Sequence, residues 1–140
     1  MRTFLLVLSI LVFAGCTSSK VNSILKDVES YISERPDSAL AVLESMDRAE
    51  LKSRRSEAHH ALLHAMALDK NYIDVTDDSL ASVAVRYYQK HGPKKYLARA
   101  LYYKGLSYYY NKEYDKSIVE LSKAESIAAS SDSLYFGFVR

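Results

Sequence analysis

The sequence predicts an all-α protein in which antiparallel helix pairs stack side by side. Its 140 residues include only four glycines and two prolines, so few positions interrupt a helix. A protein built from a sheet would need many more turns. From residue 21 onward, apolar residues also recur at helical spacing almost without a break. Short links between such helices favour a bundle or a solenoid of helix pairs.

The first sixteen residues differ from the rest of the chain. Met1 and Arg2 give a positively charged start, and residues 4–14 are apolar except for Ser9. This run of eleven residues is too short to span a bilayer, which takes about 20 residues. Its length is typical of the apolar region of a secretory signal peptide.

The tetrapeptide Phe13-Ala14-Gly15-Cys16 resembles the lipobox of bacterial lipoproteins. The resemblance implies that a peptidase removes residues 1–15 and that the Cys16 thiol carries a lipid, with palmitate among its acyl chains. Residues 16–20 would then form a polar tether. Thr17 stands where lipoproteins kept in the inner membrane of Gram-negative bacteria often have aspartate, which implies the outer membrane and a domain outside the cytoplasm. An ordinary signal peptide with a chance cysteine is the alternative.

Residues 21–140 are expected to form one helical domain, which begins with three helices. The first carries a stripe of apolar residues: Val21, Ile24, Leu25, Val28, Tyr31 and Ile32. Pro36 and Asp37 suit the start of a second helix, because proline fits the first turn and an acidic side chain favours the N-terminus. Asp47 and Glu50 have the spacing of a capping box before a third helix. The apolar positions of helices two and three are Ala39, Leu40, Leu43, Met46, and then Ala58, Ala61, Leu62, Ala65 and Met66.

Three more helices are expected after a polar loop at residues 70–76. The fourth begins near Asp77 and ends at Gly92 and Pro93, which stop one helix and start the next. Its apolar face carries Leu80, Val83, Ala84, Tyr87 and Tyr88. The fifth helix is expected over residues 94–110 and the sixth over 114–129. Residues 132–140 begin a further, incomplete helix.

The last complete pair carries a recognisable motif. Leu101, Gly105 and Tyr108 lie in its first helix, and the second helix carries Tyr114, Ser117, Leu121 and Ala124. With this spacing, residues 98–129 resemble a tetratricopeptide repeat, whose period is about 34 residues. The resemblance implies that Gly105 lets the second helix approach closely and that Tyr108 and Tyr114 have core roles. It also implies that Ser117 and Ala124 are small because two helices cross there.

The resemblance also implies an α-solenoid of three helix pairs. Residues 35–40 resemble the second helix of an earlier repeat, and three pairs are roughly the minimum for a stable solenoid. In the last repeat, Asn111-Lys112-Glu113 replaces the usual glycine turn, and asparagine tolerates the left-handed conformation that such a turn needs.

Nine tyrosines lie between Tyr87 and Tyr114, more than one core needs. In a tetratricopeptide repeat the first helix faces a concave groove, and here this helix would present Arg99, Tyr102, Leu106, Tyr109 and Tyr110. Tyrosine and arginine are common anchors of interfaces. The resemblance therefore implies a protein or peptide ligand. Packing of these tyrosines on neighbouring repeats is the alternative.

Candidate catalytic and metal-binding residues are few. His60 and His64 are four residues apart and would share a helix face beside His59, but Ala61 occupies the position where zinc hydrolases carry glutamate. A structural histidine pair is the favoured interpretation, and a metal-dependent hydrolase is the alternative.

The acidic loop carries Asp69, Asn71, Asp74, Asp77 and Asp78, but it lacks the spacing, the central glycine and the terminal glutamate of an EF-hand. Capping of the fourth helix by Thr76 or Asp77 explains much of it. The net charge of +2, without a basic stripe, gives no support to nucleic-acid binding.

These observations predict a lipid-anchored, periplasm-facing protein of the cell envelope that binds a protein or peptide and is not an enzyme, with no cofactor or metal. The alternative is the N-terminal sensor part of a longer signalling protein. Its motivation is the apolar segment at residues 132–140, which ends without a partner helix. A homodimer that buries this segment is the corresponding expectation for a complete chain.

Overall fold

The computed structural model describes residues 19–130, and this part of the chain is all-helical. It contains α1 (19–31), α2 (Pro36–Ser45), α3 (Arg54–Lys70), α4 (Ser79–Tyr88), α5 (Lys94–Tyr110) and α6 (Tyr114–Ser130). From α2 to α6, each helix packs against the next, and α3 also contacts α5. The prediction of an all-helical protein with packed helix pairs is therefore confirmed for these residues.

Several predicted features lie outside the described residues. These are the signal peptide at 1–15, the lipidation site Cys16, and the segment 132–140. Ser19 and Lys20, which were assigned to the tether, already belong to α1. None of the helices within residues 19–130 is long and apolar enough to cross a bilayer.

The first two helices follow the apolar pattern of the sequence. The buried residues of α1 are Val21, Leu25 and Val28, and Ile32 continues the same stripe just after the helix. Pro36 occupies the first turn of α2, with Asp37 beside it, and α2 buries Ala39 and Leu43. Both helices therefore turn one apolar side toward a common core.

The start of α3 differs from the prediction. Ser53, not Asp47, caps this helix: its hydroxyl accepts the backbone N–H of Ser56 at 3.0 Å, and the Ser56 hydroxyl accepts the N–H of Ser53 in return. Asp47 instead caps a single 3-10 turn at Arg48–Glu50. The predicted capping box at Asp47 and Glu50 is therefore wrong. The two serines have the same three-residue spacing and stand directly before the continuous apolar run.

The long helices α3 and α5 end in the same way. Asn71 follows α3 and Asn111 follows α5, and the next residue has a left-handed backbone in both cases: Tyr72 with φ 59° and Lys112 with φ 64°. Two backbone hydrogen bonds close each end, one that spans six residues and one that spans four, as in a Schellman motif. The asparagine at 111 was expected to adopt the left-handed conformation, but Lys112 does so instead.

The core is centred on α3. This helix buries nine of its seventeen residues, because it packs against α2, α4 and α5. Its largest fully buried side chains are Leu62 and Leu63. Alanines such as Ala58 and Ala67 are fully buried beside them, which allows neighbouring helices to approach closely.

Candidate protein-binding groove

The predicted groove residues lie along α5. Arg99, Tyr102, Leu106 and Tyr110 are half-buried, and Tyr109 is 54% exposed. Spacings of three and four residues place Arg99, Tyr102, Leu106 and Tyr110 on one side of the helix, with Tyr109 at the edge of that side. The ring of Tyr109 lies 5.7 Å from the rings of both Tyr110 and Tyr114.

A single carboxylate joins this side of α5 to two other helices. Glu29 of α1 is 3.1 Å from His59 Nε2 on α3, and it accepts hydrogen bonds from the Tyr96 hydroxyl at 2.9 Å and from Arg99 Nη1 at 3.3 Å on α5. Helices α1, α3 and α5 therefore lie side by side. We call the shared surface the inner face and define it by Lys26, His59, Arg99, Tyr102 and Leu106.

The Glu29 carboxylate is strongly held in its charged form. Burial by itself raises the pKa of Glu29, but hydrogen bonds from His59 and Tyr96 and the nearby charges of His59 and Arg99 outweigh it. Together they lower the pKa of Glu29 from 4.5 to about 2. Arg99 was expected to face a ligand, but its guanidinium forms an ion pair with Glu29 within the fold.

An open cleft of about 540 Å³ lies at one end of the inner face. Its lining includes three exposed cations, Lys26, Arg55 and Lys95, and none of them forms an ion pair within residues 19–130. Tyr87, Tyr88 and Tyr96 form an aromatic wall, where the ring centres of Tyr88 and Tyr96 are 5.2 Å apart. Such a cleft suits a group with negative charge and a flat or apolar part.

Sequence reasoning missed this cleft and the Glu29 network. A signal was present in α1, where Asn22, Lys26 and Glu29 follow one another at helical spacing and therefore share one side of the helix. The partners of Glu29 lie 30 to 70 residues farther along the chain, so that only the packing of α3 and α5 brings them together.

At the other end of α5, Leu106 and Tyr110 pack beside the connection between α3 and α4. They line a small cavity of about 20 Å³ with Asp69, Ile73 and Asp77, which is roughly the size of one water molecule. Burial raises the pKa of the Asp69 carboxyl in this place. Two of the predicted groove residues therefore also pack within the fold, as the alternative interpretation expected.

The α5–α6 hairpin is closely packed at Gly105. A Cβ atom at this position would lie 2.7 Å from Cγ and 2.8 Å from Cδ2 of Leu121. Ser117, Ala124 and Leu101 are buried in the same pair of helices. The structure thus places the small residues of the motif at the helix crossing.

The two motif tyrosines have different surroundings from those expected. Tyr108 is half-buried, and its hydroxyl donates to Asp78 Oδ2 at 3.0 Å, which ties α5 to the start of α4. Tyr114 is 53% exposed, so its expected core role is wrong for the described residues. The reason is that α5 covers the opposite side of α6, which buries Ser117 and Ala124. Ile118, one turn after Tyr114, is exposed for the same reason.

His60 and His64 of α3 both interact with residues of α2. His60 is buried, and its Nε2–H donates to the carbonyl oxygen of Leu43 at 2.9 Å. His64 lies 3.9 Å from the Glu44 carboxylate, and the rings of His60 and His64 meet edge to face. Burial lowers the pKa of both side chains below 6.5, which keeps them mainly neutral at pH 7. Within residues 19–130, no three His, Cys, Asp or Glu side chains are grouped to hold a metal ion.

Two carboxylates of the acidic loop accept hydrogen bonds from the first turn of α4. Asp77 accepts the backbone N–H of Ser79 at 2.6 Å, and Asp78 accepts the hydroxyl of Ser82 at 2.9 Å. Asp78 occupies the N-cap position, so the cap expected at Thr76 or Asp77 is misplaced, although Asp77 does accept a backbone N–H at the start of the helix.

No family model matches the chain, and no curated protein and no solved structure is significantly similar to it. Function is therefore inferred from the residues and their geometry.

Proposed function

We propose that this chain is a lipid-anchored, non-catalytic scaffold of the bacterial cell envelope, and that its inner face binds another protein or a peptide. The observation that carries the proposal is the Glu29 network, which aligns alternate helices α1, α3 and α5 side by side. Because these helices are aligned, the half-exposed Tyr102 and Leu106 extend a surface that already includes the cationic cleft. A continuous surface with aromatic and charged side chains suits peptide recognition.

The proposal includes stacking of the tetratricopeptide type. Its support is the close approach of α5 and α6 at Gly105 and the alignment of the first helix of each pair. The matching lengths and matching Schellman ends of α3 and α5 also favour a repeated unit. Stacked helix pairs produce extended concave surfaces, which such proteins use for binding.

The proposal also includes an outer-membrane anchor of the Gram-negative type at Cys16. Its support is the apolar segment 4–14, followed by two small residues and the single cysteine of the chain. Stable anchoring by lipid needs at least two acyl chains, because each buried CH₂ contributes about 0.8 kcal/mol.

The binding surface is tested by photo-crosslinking in cells. A photoreactive amino acid at Tyr102 or at Leu106 is expected to capture one discrete partner. The same amino acid at Tyr114 is the control, because Tyr114 is exposed but lies on α6, outside the inner face. Capture of that partner with equal yield from Tyr114 would show that the inner face is not the binding surface.

The contribution of one anchor residue is then measured with the captured partner. Tyr102→Ala is expected to weaken the affinity about tenfold, which corresponds to an interface anchor of more than about 1 kcal/mol. Tyr114→Ala removes the same ring from α6 and should leave the affinity unchanged. Equal effects of the two substitutions would contradict the proposal.

The lipid anchor is tested by mass spectrometry and fractionation. The mature chain is expected to begin at Cys16 with a diacylglycerol on its thiol, and Cys16→Ser should move the protein out of the membrane fraction. Ser19→Ala, three residues away, is the control and should stay in that fraction. Retention of the Cys16→Ser variant would show that the anchor is wrong.

A further inference from the structure

The two ends of the helix stack carry opposite charge. We call one end the attachment end; it contains the start of α1, the connection between α2 and α3, and the turn between α4 and α5. Asn22 of α1, Arg55 in the first turn of α3, and Gly92 and Lys95 beside the turn between α4 and α5 line the same cleft. The connection between α2 and α3 lies at this end because it leads directly into α3. The far end contains the connection between α3 and α4.

The attachment end is basic, most of all at the turn between α4 and α5. Residues 86–96 include four lysines and arginines and no aspartate or glutamate. Lys90, Lys94 and Lys95 are exposed, as are Arg54 and Arg55 at the start of α3, and none of them takes part in an ion pair within the described residues. Asp47, Glu50 and Glu57 balance part of the positive charge around the start of α3. No acidic residue balances the lysines of the turn between α4 and α5, since residues 86–96 contain none.

The far end is acidic. Residues 69–78 include four aspartates and a single lysine. The seventeen residues of α3 separate this segment from Arg54 by about 25 Å. The domain therefore has a positive end and a negative end along its helix axes.

The point of lipid attachment belongs to the positive end. Helix α1 is already formed at residue 19, and only two residues separate it from Cys16. Three residue spacings of extended chain reach about 10 Å at most. A lipid on Cys16 would thus hold the start of α1 close to the headgroups, with Lys26, Arg55 and Lys95 on the same end of the domain.

We propose that the attachment end docks on anionic phospholipid headgroups, so that the domain stands on the bilayer with its acidic end pointing away. This inference rests on the proposed anchor at Cys16. Each lysine or arginine near an anionic surface favours the docked state by about fivefold, or about 1 kcal/mol. The far-end aspartates are repelled by the same surface, which selects one orientation. The part of the inner face beyond Lys26, from His59 to Leu106, then points away from the bilayer and stays accessible to a partner.

The orientation is tested with single fluorescent labels on the mature, acylated chain in nanodiscs. Cys16 is the natural cysteine and is blocked by its lipid, so Gln89→Cys and Ser38→Cys each give one labelling site. Both residues are exposed. Gln89 lies at the attachment end, and Ser38 lies at the far end, in the first turn of α2, which follows the last residue of α1. Nitroxide groups on the lipid heads are expected to quench the label at 89 and not the label at 38. Quenching should increase when phosphatidylglycerol is added to phosphatidylcholine, and high salt should reverse the increase.

Two triple variants, each of which removes three lysine charges, test which cations bind the membrane surface. Lys90→Gln, Lys94→Gln and Lys95→Gln together should lower the ratio of docked to undocked protein by about a hundredfold. Lys112→Gln, Lys116→Gln and Lys123→Gln remove the same charge from elsewhere and should leave the ratio unchanged. Lys116 and Lys123 form surface ion pairs, whose loss costs little stability.

Two results would overturn the proposal. One is equal quenching at both labels, or quenching that does not depend on phosphatidylglycerol. The other is binding of a polyglutamate peptide that requires Lys90, Lys94 and Lys95 while the headgroup charge has no effect, because the basic end would then be a peptide site. Mass spectrometry of the same sample reports acylation of Cys16, so absence of docking in the acylated wild-type chain contradicts this inference and not the anchor.

Discussion

At the scale of the residue, Glu29 holds three helices through one side chain. Its side chain is 21% exposed, and its carboxylate receives hydrogen bonds from α3 and α5, so that the charged form is favoured in the folded protein. A half-buried carboxylate with several donors stabilises a fold only while it is ionised.

This gives a prediction for acid stability. Because the pKa of Glu29 falls from 4.5 in the unfolded chain to about 2 in the folded protein, its contribution is complete above about pH 5 and is lost as the pH falls toward 2. The loss is at most about 3 kcal/mol of unfolding free energy. Urea denaturation near neutral pH and at about pH 3 measures it. Glu29→Gln should flatten this dependence, whereas Glu57→Gln, which removes an exposed carboxylate of α3, should preserve it.

Gly105 gives a second prediction at this scale. In an isolated helix, alanine is more favourable than glycine by about 1 kcal/mol. Here Gly105→Ala should instead destabilise the protein by about 1 to 2 kcal/mol, because the new Cβ would clash with the Leu121 side chain and lie 3.3 Å from its backbone nitrogen. In a Leu121→Ala background the cost should shrink or change sign. An increase of stability from Gly105→Ala alone would show that the two helices are farther apart.

At the scale of the element, the ends of α3 and α5 show how a helix is stopped without glycine. Tyr72 and Lys112 adopt positive φ, which puts their Cβ atoms under strain. The strain is offset by the Schellman hydrogen bonds that satisfy the last carbonyl groups of each helix.

Substitution at Lys112 tests this description. Lys112→Gly should raise the unfolding free energy by about 0.5 to 1 kcal/mol, because glycine adopts positive φ without strain. In thermal denaturation the gain corresponds to an increase of about 2 to 4 °C in Tm. Lys112→Ala keeps the Cβ atom and should give no such gain, so an equal rise in both variants would attribute the effect to the lost charge.

At the scale of the whole molecule, the helices differ in how many neighbours stabilise them. Helix α3 packs against α2, α4 and α5 and is joined to α1 by His59 and Glu29. Helix α6 has the same length and packs chiefly against α5 within the described residues. A helix that packs against fewer neighbours loses fewer contacts when it opens, so α6 should open locally at lower free energy than α3.

Hydrogen exchange measures this difference. We expect the backbone amides of α3 to exchange only when the whole domain unfolds, and those of α6 to exchange through local opening at lower free energy. The comparison is matched because both helices have seventeen residues. Equal protection of the two helices would show that the domain unfolds as one cooperative unit.

The sequence by itself determined the local elements of this protein. The bounds of α5 were predicted correctly at both ends, because Pro93 and the Asn111 turn flank a continuous helical pattern. Periodicity also identified α1, α2, α4 and α6, since the spacing of apolar residues directly reflects which side of a helix is buried. The start of α3 was misplaced because two capping patterns lie close together, at Asp47 and at Ser53.

The tertiary structure decided which residues meet across the stack. Glu29 joins His59 and Arg99, and one cleft is lined by Lys26, Arg55 and Lys95, although these residues are far apart in the chain. Packing also decided that Tyr114 is exposed, although its motif suggested a core role. Helical periodicity defines the buried side of one helix, but it carries no information about the rotation and register of that helix against its neighbours.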